Sequence, residues 1–480
     1  MKIQYLLATV ATALFFSACG GGGSGAANNP PPIGGIVRTG VAIGPITTFG
    51  SVVVNGVRYS TTTATFTVDD SPGTQDDLRV GQVVRVRGSI DDNSTTGTAN
   101  DVTFDDNVEG PIQSIDPVTG VLVVLGQTVR TDAQTSFDDN IQPASLAGLV
   151  AEDIVEVSGL VMADGSISAT RIEKKPAGFL FEVHGIVSNL DAGNLRFSLN
   201  GLVVSYATAT LDNFPGGQIS GGNPVEAKGN TFDGNGRLIA TRVEFEGSAV
   251  GNANDHVEIE GFITRFASAQ DFDVSGLPVS TSNGTAFTGG TAANLGLNIK
   301  VEVEGSLNAS GTLAATKVDI RRGAAVRATA LVDSVNAAGN SLVMLGITVN
   351  IDALTRLEDK SNANVRPLTI NNLNTGDYLE VRGTEQPAGS GRILASILER
   401  DDVDTRTILQ GFVTSAGAPS FTILGVTITT NGSTQFLGIN GVPIPSATFF
   451  SQATAGTLVK ARGTETSATA ITADEVQLEQ

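Results

Sequence analysis

Val84-Arg85-Val86-Arg87-Gly88 returns five times further down the chain. It becomes Val155-Glu156-Val157-Ser158-Gly159, Val225-Glu226-Ala227-Lys228-Gly229 and Val301-Glu302-Val303-Glu304-Gly305. Leu379-Glu380-Val381-Arg382-Gly383 and Val459-Lys460-Ala461-Arg462-Gly463 complete the set. The closing glycines fall 70 to 80 residues apart, so the chain is an array of six similar modules. Within each run apolar residues alternate with charged or polar ones, the period of a half-buried antiparallel strand. The charges change sign from module to module and therefore read as solubilising residues on a solvated face.

Upstream of this run, each module opens with a glycine and a short alternating stretch, as in Gly110-Pro111-Ile112, Gly185-Ile186-Val187 and Gly261-Phe262-Ile263. Gly40 and Gly411 take the same place, and module 5 has Ala330 there. Apolar residues then lie four and two places before a second glycine and one and three places after it. Phe197, Leu199, Gly201, Leu202 and Val204 show this, as do Phe421, Ile423, Gly425, Val426 and Ile428. The slip of register fits a two-residue hairpin, for which Asn55-Gly56 and Asn200-Gly201 are favoured. Leu125, Leu345 and Leu424 are not favoured there, which leaves a glycine bulge in one bent strand as the alternative.

Thr65-Phe66, Thr135-Ser136-Phe137, Thr210-Leu211, Thr285-Ala286-Phe287, Thr355-Arg356-Leu357 and Thr434-Gln435-Phe436 follow. Each sets a bulky residue at a fixed place, which reads as a core plug and not a ligand platform. After the opening run, turns lead to a last strand such as Ala169-Thr170-Arg171-Ile172, Ala240-Thr241-Arg242-Val243 or Ala315-Thr316-Lys317-Val318.

Three strands in a meander, a variable connection and a hairpin are expected in each module. The fold class is all-β, with six tandem small antiparallel β-barrel-like modules of about five strands each. The order of elements is similar to an oligonucleotide/oligosaccharide-binding (OB) barrel whose helix has been replaced by a loop. Boundaries fall at 40–106, 107–176, 181–247, 256–323, 326–401 and 406–480. The repeated motifs also resemble those of the bacterial family known as domain of unknown function 5666, over nearly everything from about Gly40 to Gln480. That resemblance implies no activity, and members of the family are often exported or lipid-anchored. A module of about seventy residues is near the smallest that is stable without disulfides or metal. Neighbours are therefore expected to share interfaces, giving a rod or curved string.

The N-terminus reads as a targeting segment. Lys2 precedes an apolar stretch from Ile3 to Phe16, too short to span a bilayer. Phe16-Ser17-Ala18-Cys19 resembles the lipobox of bacterial lipoproteins, with Phe16 in place of the usual Leu. Residues 1–18 are then a signal peptide, Cys19 the lipidated N-terminus, and 19–39 a flexible Gly/Pro-rich tether. Cys19 is the only cysteine, so no intrachain disulfide forms. Gly20 is not the Asp that resembles a retention signal for the inner membrane, so the expected location is the outer membrane of the cell envelope.

The chain carries 29 basic and 49 acidic side chains, a net charge of −20 that repels phosphate backbones; no nucleic-acid partner is expected. With two histidines, His184 and His256, no transition-metal ligand set assembles, and both read as solvated strand-edge residues. Acid pairs at Asp69-Asp70, Asp76-Asp77, Asp91-Asp92, Asp105-Asp106, Asp138-Asp139 and Asp401-Asp402 read as solvated turns. Asp233-Gly234-Asn235-Gly236 begins like a Ca²⁺ loop but has Arg237 at a ligand place. Gly20, Gly22 and Gly25 match a dinucleotide pattern outside any strand–helix context.

Catalytic residues, cofactors and metal sites are accordingly expected to be absent, leaving Cys19 as the one modified position. The expected function is a non-catalytic, lipid-anchored repeat array, a structural spacer or an adhesion or interaction scaffold. Its partners are the membrane, through the lipid on Cys19, and an envelope protein or glycan. The alternatives are an OB-like array binding oligosaccharide or protein and, further off, a hydrolase with paired carboxylates.

Overall fold

The computed structural model describes residues 38–479 apart from 49–50, 92–94, 118, 133, 177, 179, 248–249, 322–325, 353, 388 and 440–441. The signal segment, Cys19 and the tether lie outside the described residues. Module 2 shows the build. Strand one, Val108–Asp116, bends into strand two, Val121–Val124, which turns into strand three, Gln127–Arg130. Strand four, Ile154–Val161, and strand five, Ile167–Lys175, form the closing hairpin. Strand one pairs with strands two and four, and strand three pairs with strand five in parallel. The order 1-2-3-5-4-1 closes a five-stranded OB barrel.

The other five modules repeat the circuit. In module 3 strand one is broken at Val187 into Phe181–Ile186 and Ser188–Asp191. The all-β, six-module reading therefore holds, but the barrels are not purely antiparallel. The connection expected as a loop carries a single 3₁₀ turn in five modules and the helix Ser446–Gln452 in the sixth.

The second glycine marks a true hairpin: Val124 lies opposite Gln127 and Val54 opposite Val57. Asn55, Leu125, Asn200, Ser275, Leu345 and Leu424 all take left-handed φ between 45° and 52°. For leucine this costs about 1–2 kcal/mol. Leu125, Leu345 and Leu424 are all buried, and burying a leucine side chain contributes about as much in return. The opening glycine makes room for that turn residue: a Cβ on Gly110 would sit 2.6 Å from Leu125 Cγ. In module 1 the equivalent is Gly44 and not Gly40. Gly44 faces Val84 as Gly110 faces Val155, and a Cβ there would meet Asn55 Oδ1 at 2.2 Å. Val41, Ala42 and Ile43 between them are apolar on both faces of the strand, so sequence spacing alone did not separate Gly40 from Gly44.

The two strongest motifs are opposite sides of one β-bulge. Register shifts after Arg87, Ser158, Lys228, Glu304, Arg382 and Arg462, leaving Asn100, Thr170, Thr241, Thr316, Ser396 and Asp474 unpaired. The bulge drives a carbonyl towards the motif glycine. A Cβ on Gly88, Gly159, Gly229, Gly305, Gly383 or Gly463 would lie only 2.0–2.5 Å from that oxygen. The carbonyl of the neighbouring alanine is met by the threonine of the third motif. Thr135, Thr285, Thr355 and Thr434 donate to Ala169, Ala315, Ala395 and Ala473 at 2.7–2.8 Å. The threonine is thus the exacting residue of that motif. Of the bulky partners only Phe137 is fully buried; Leu211 is 36% exposed, and the rest cap the core from its edge.

The modules do not follow one another as a string. Strand one of module 2 pairs antiparallel with that of module 3, and module 5 pairs likewise with module 6; each pair shares one continuous core. Module 1, strand Arg38–Thr48, instead pairs in parallel with His256–Ser268 of module 4. Ala42 and Ile46 face the core of module 1, while Val41 packs into that of module 4 with Val257 and Ile259. Sharing strand faces in this way enlarges cores that are small on their own.

Candidate functional site

In modules 2 to 5 the polar residues of strand four are largely withdrawn from solvent, whereas Arg462 of module 6 is 48% exposed. Glu156, Glu226, Glu302, Glu380, Lys228 and Arg382 are all buried, because the outer faces of the barrels pack against other modules. Period-two alternation reports that two faces differ and is silent on what covers the second one. An aligned column of four glutamates (156, 226, 302 and 380) was the signal that a uniform environment recurs there.

Module 5 grips module 2 with three cations. Arg356 Nη1 donates to the carbonyls of Gln134 and Thr170, at 3.1 and 3.2 Å. Arg382 Nη1 donates to Thr135 O at 3.1 Å and Nη2 to Glu399 at 3.0 Å, while Nε binds Glu380. Lys360 joins Phe137 O at 3.2 Å to Glu399 at 2.9 Å. From the other side, Arg171 Nη1 reaches Val80 O of module 1 at 3.1 Å and Glu358 at 3.5 Å. Burial raises the Glu399 carboxyl, but Lys360 and Arg382 overcome it and hold it down at about 2. Lys300 and Arg321 do the same for Glu260.

The seam where modules 1, 2 and 3 meet is short of positive charge. Asp69 and Asp70, both left-handed, form a turn of module 1; the Asp70 carboxylate meets Lys228 at 3.2 Å and Arg242 at 2.7 Å. His184 is held between Glu226, 3.3 Å from Nε2, and Glu246, 2.8 Å from Nδ1. Burial lowers its pKa, yet the two glutamates raise it well above the ordinary value. Asp106, Glu109 and Glu156 converge beside it with oxygens all within 4.8 Å of one another. Burial drives Asp106 well upward and pushes Glu109 and Glu156 up to about 7, against the pull of Lys175 on the two glutamates.

At the seam of modules 1 and 4, His256 Nε2 lies 3.6 Å from Glu258 and 3.5 Å from Glu304. Neither histidine is the solvated edge residue that strand position suggested: His256 is 5% exposed, and His184 is wedged in its seam. A cavity of about 240 Å³ opens where modules 1, 2, 4 and 5 meet, lined by Lys300, Arg321 and Arg356 against Glu260, Asp319 and Asp352. Its cations already serve protein partners, Lys300 and Arg321 at Glu260 and Arg356 at backbone carbonyls. None of the acids with raised pKa named above lines it.

These shifts give stability a defined pH dependence. Burial pushes Asp401 up to about 6 and Glu302 to about 7, alongside Glu109 and Glu156. Each binds its proton more tightly folded than unfolded, so its contribution is complete below the ordinary carboxyl range and is lost as pH rises to 6–7. His184 adds the same sign, its contribution being lost as pH rises above its ordinary 6.5. Glu260, Asp359 and Glu399, held at about 2, lose theirs only as pH falls below about 4.5. In chelator, the full chain is expected to melt several degrees higher at pH 5.5 than at pH 8 and to weaken again below pH 4. A midpoint that is flat or climbs from pH 5.5 to 8 contradicts this assignment.

Comparison with known proteins adds the family. No curated protein matches the chain. A solved chain described as drosophila Unr CSD456 is similar at 15% identity over 45% of this chain and 98% of its own, with a TM-score of 0.12 that supports no argument. The family described as Domain of unknown function (DUF5666) matches residues 42–102, 109–173, 184–244, 260–319, 329–398 and 410–477, one match per barrel. Six closed barrels, each built around the same bulge and hairpin and each matched separately, make this chain a member of the DUF5666 family in six tandem copies.

Proposed function

We propose that the chain is a non-catalytic scaffold of the cell envelope, held at the outer membrane by a lipid on Cys19. The observation that carries this reading is where the repeated charges go. The outer face of strand four, which a binding array would present, is buried in modules 2, 3 and 5, and module 5 directs its cations at module 2. The hairpin of strands two and three, which OB barrels commonly use for ligands, carries no side chain common to all six modules at the first outward position of strand three. The residues there are Arg58, Thr128, Val203, Pro278, Thr348 and Thr427 in successive modules, and no aromatic stands among them. The pairing of module 1 with module 4 favours a scaffold over an extended spacer.

Carboxylates with raised pKa would suit a hydrolase, yet a general acid must reach its substrate. Asp106, Glu109 and Glu156 are enclosed between modules and line none of the cavities described. The acidic surface argues against nucleic acid and leaves an envelope protein or glycan as partner.

Growth with an alkynyl fatty acid tests the anchor. The chain should take up label and sediment with outer membranes, while Cys19→Ala should lose the label and leave the membrane fraction. Unlabelled wild-type chain, or a Cys19→Ala variant still in membranes, overturns the anchoring.

A further inference from the structure

Buried acids in this protein come with a base. Glu182 and Glu226 have Lys228, Glu260 has Lys300, Glu302 has Arg321, Asp359 has Arg400, and Glu380 and Glu399 share Arg382. Glu258 lies beside His256. Among the described residues, Asp106 and Glu109 are the two buried acids with no base at ion-pair distance. Asp106 is 3% exposed, and neither of its carboxylate oxygens has a hydrogen-bond partner; Glu109, 5% exposed, has Oε1 in the same state. An orphaned buried carboxylate costs several kcal/mol when ionised, so two side by side call for an explanation.

The geometry supplies one. Asp106 stands in the connection between modules 1 and 2, Glu109 on strand one of module 2, and Glu156 on strand four across from Glu109. One oxygen from each lies within 4.8 Å of the others, close enough for all three to sit on one ion at about 2.3–2.6 Å. Glu156 is partly served already, by Lys175 and by Gln82 of module 1 at 3.2 Å. Three carboxylates against that one ammonium leave two uncompensated negative charges. The donor set is oxygen only, with neither thiolate nor imidazole, which selects a hard cation over zinc or copper. The Asp106 backbone N–H donates to the Asp69 carboxylate, which brings the turn of module 1 up to the same spot.

We propose that Asp106, Glu109 and Glu156 bind one calcium ion, which ties the connection between modules 1 and 2 to the barrel of module 2. The ion replaces the missing base at this seam, doing there what Arg382 does between modules 2 and 5. It also explains why the six-fold repeat breaks its pattern of paired acids at this one junction.

The test uses the full chain, stripped with chelator and titrated with CaCl₂ and separately with MgCl₂ by calorimetry, alongside Asp106→Asn/Glu109→Gln. The amides keep shape while removing charge from two groups that bind no base, so the variant should fold; its melting midpoint in chelator checks this. Should the double variant fail that check, Asp106→Asn alone takes its place. Wild-type chain should bind one more Ca²⁺ per molecule than the variant, at least tenfold more tightly than Mg²⁺, and Ca²⁺ should raise its melting midpoint by several degrees more. Equal stoichiometry and equal calcium-induced shifts in the two chains overturn the site. An extra ion bound equally well as Mg²⁺ overturns its assignment to calcium.

Discussion

Arg382→Met is expected to destabilise the full chain by about 3–5 kcal/mol, the range for removing one partner of a buried ion pair. Its loss leaves Glu380 with Arg327 and Glu399 with Lys360 as their remaining bases, and Thr135 O of module 2 without this donor. Arg462 holds the same place in the repeat one module later. There it is 48% exposed and meets only the partly exposed Glu475 at 3.0 Å. Arg462→Met should cost less than about 1 kcal/mol, as exposed pairs do. Denaturant unfolding of both variants measures the contrast. Equal losses at the two sites mean that the outer faces of modules 5 and 6 are equivalent, which the packing denies.

Gly383→Ala is expected to cost about 3 kcal/mol, the upper part of the range for overpacking. The added Cβ would lie 2.1 Å from Leu394 O, and that carbonyl is fixed by the bulge and cannot turn aside as a side chain could. Gly432→Ala, with nothing within 4 Å of its Cβ, should stay within about 0.5 kcal/mol. The same comparison can be made at Gly88, Gly159, Gly229, Gly305 and Gly463, so the prediction is repeated five times within one molecule. A tolerated alanine at Gly383 would mean that the bulge is not what the glycine serves.

What could be read from sequence was the barrel, and what could not was its surroundings. Local alternation and turn chemistry act within a few residues. Leu125-Gly126 left a bulge open, whereas the succession of strands and the hairpins at Asn55-Gly56 and Asn200-Gly201 were visible in the residues themselves. The parallel pairing of strands three and five was not, because it joins residues some forty apart through a connection of variable length. Glu156 and Arg382 looked like surface charges for a similar reason. Alternation is a property of one strand, whereas burial of its polar face depends on another module. The partnership of module 1 with module 4 left no local trace beyond Val41 and Ile43, apolar on the face that module 1 itself does not use. Asp106 appeared in the chain as one acid of an ordinary turn pair. Only the convergence of Glu109 and Glu156 sets it apart.

The central claim is that these barrels form one body through pairings that skip along the chain. Val41→Asp with hydrogen-exchange mass spectrometry tests it most directly. Val41 faces the core of module 4, so a charge there should speed exchange across His256–Ser268 and Lys300–Leu307, more than two hundred residues away. Faster exchange confined to module 1, with those two strands unchanged, would contradict the pairing and return the protein to a string of independent modules.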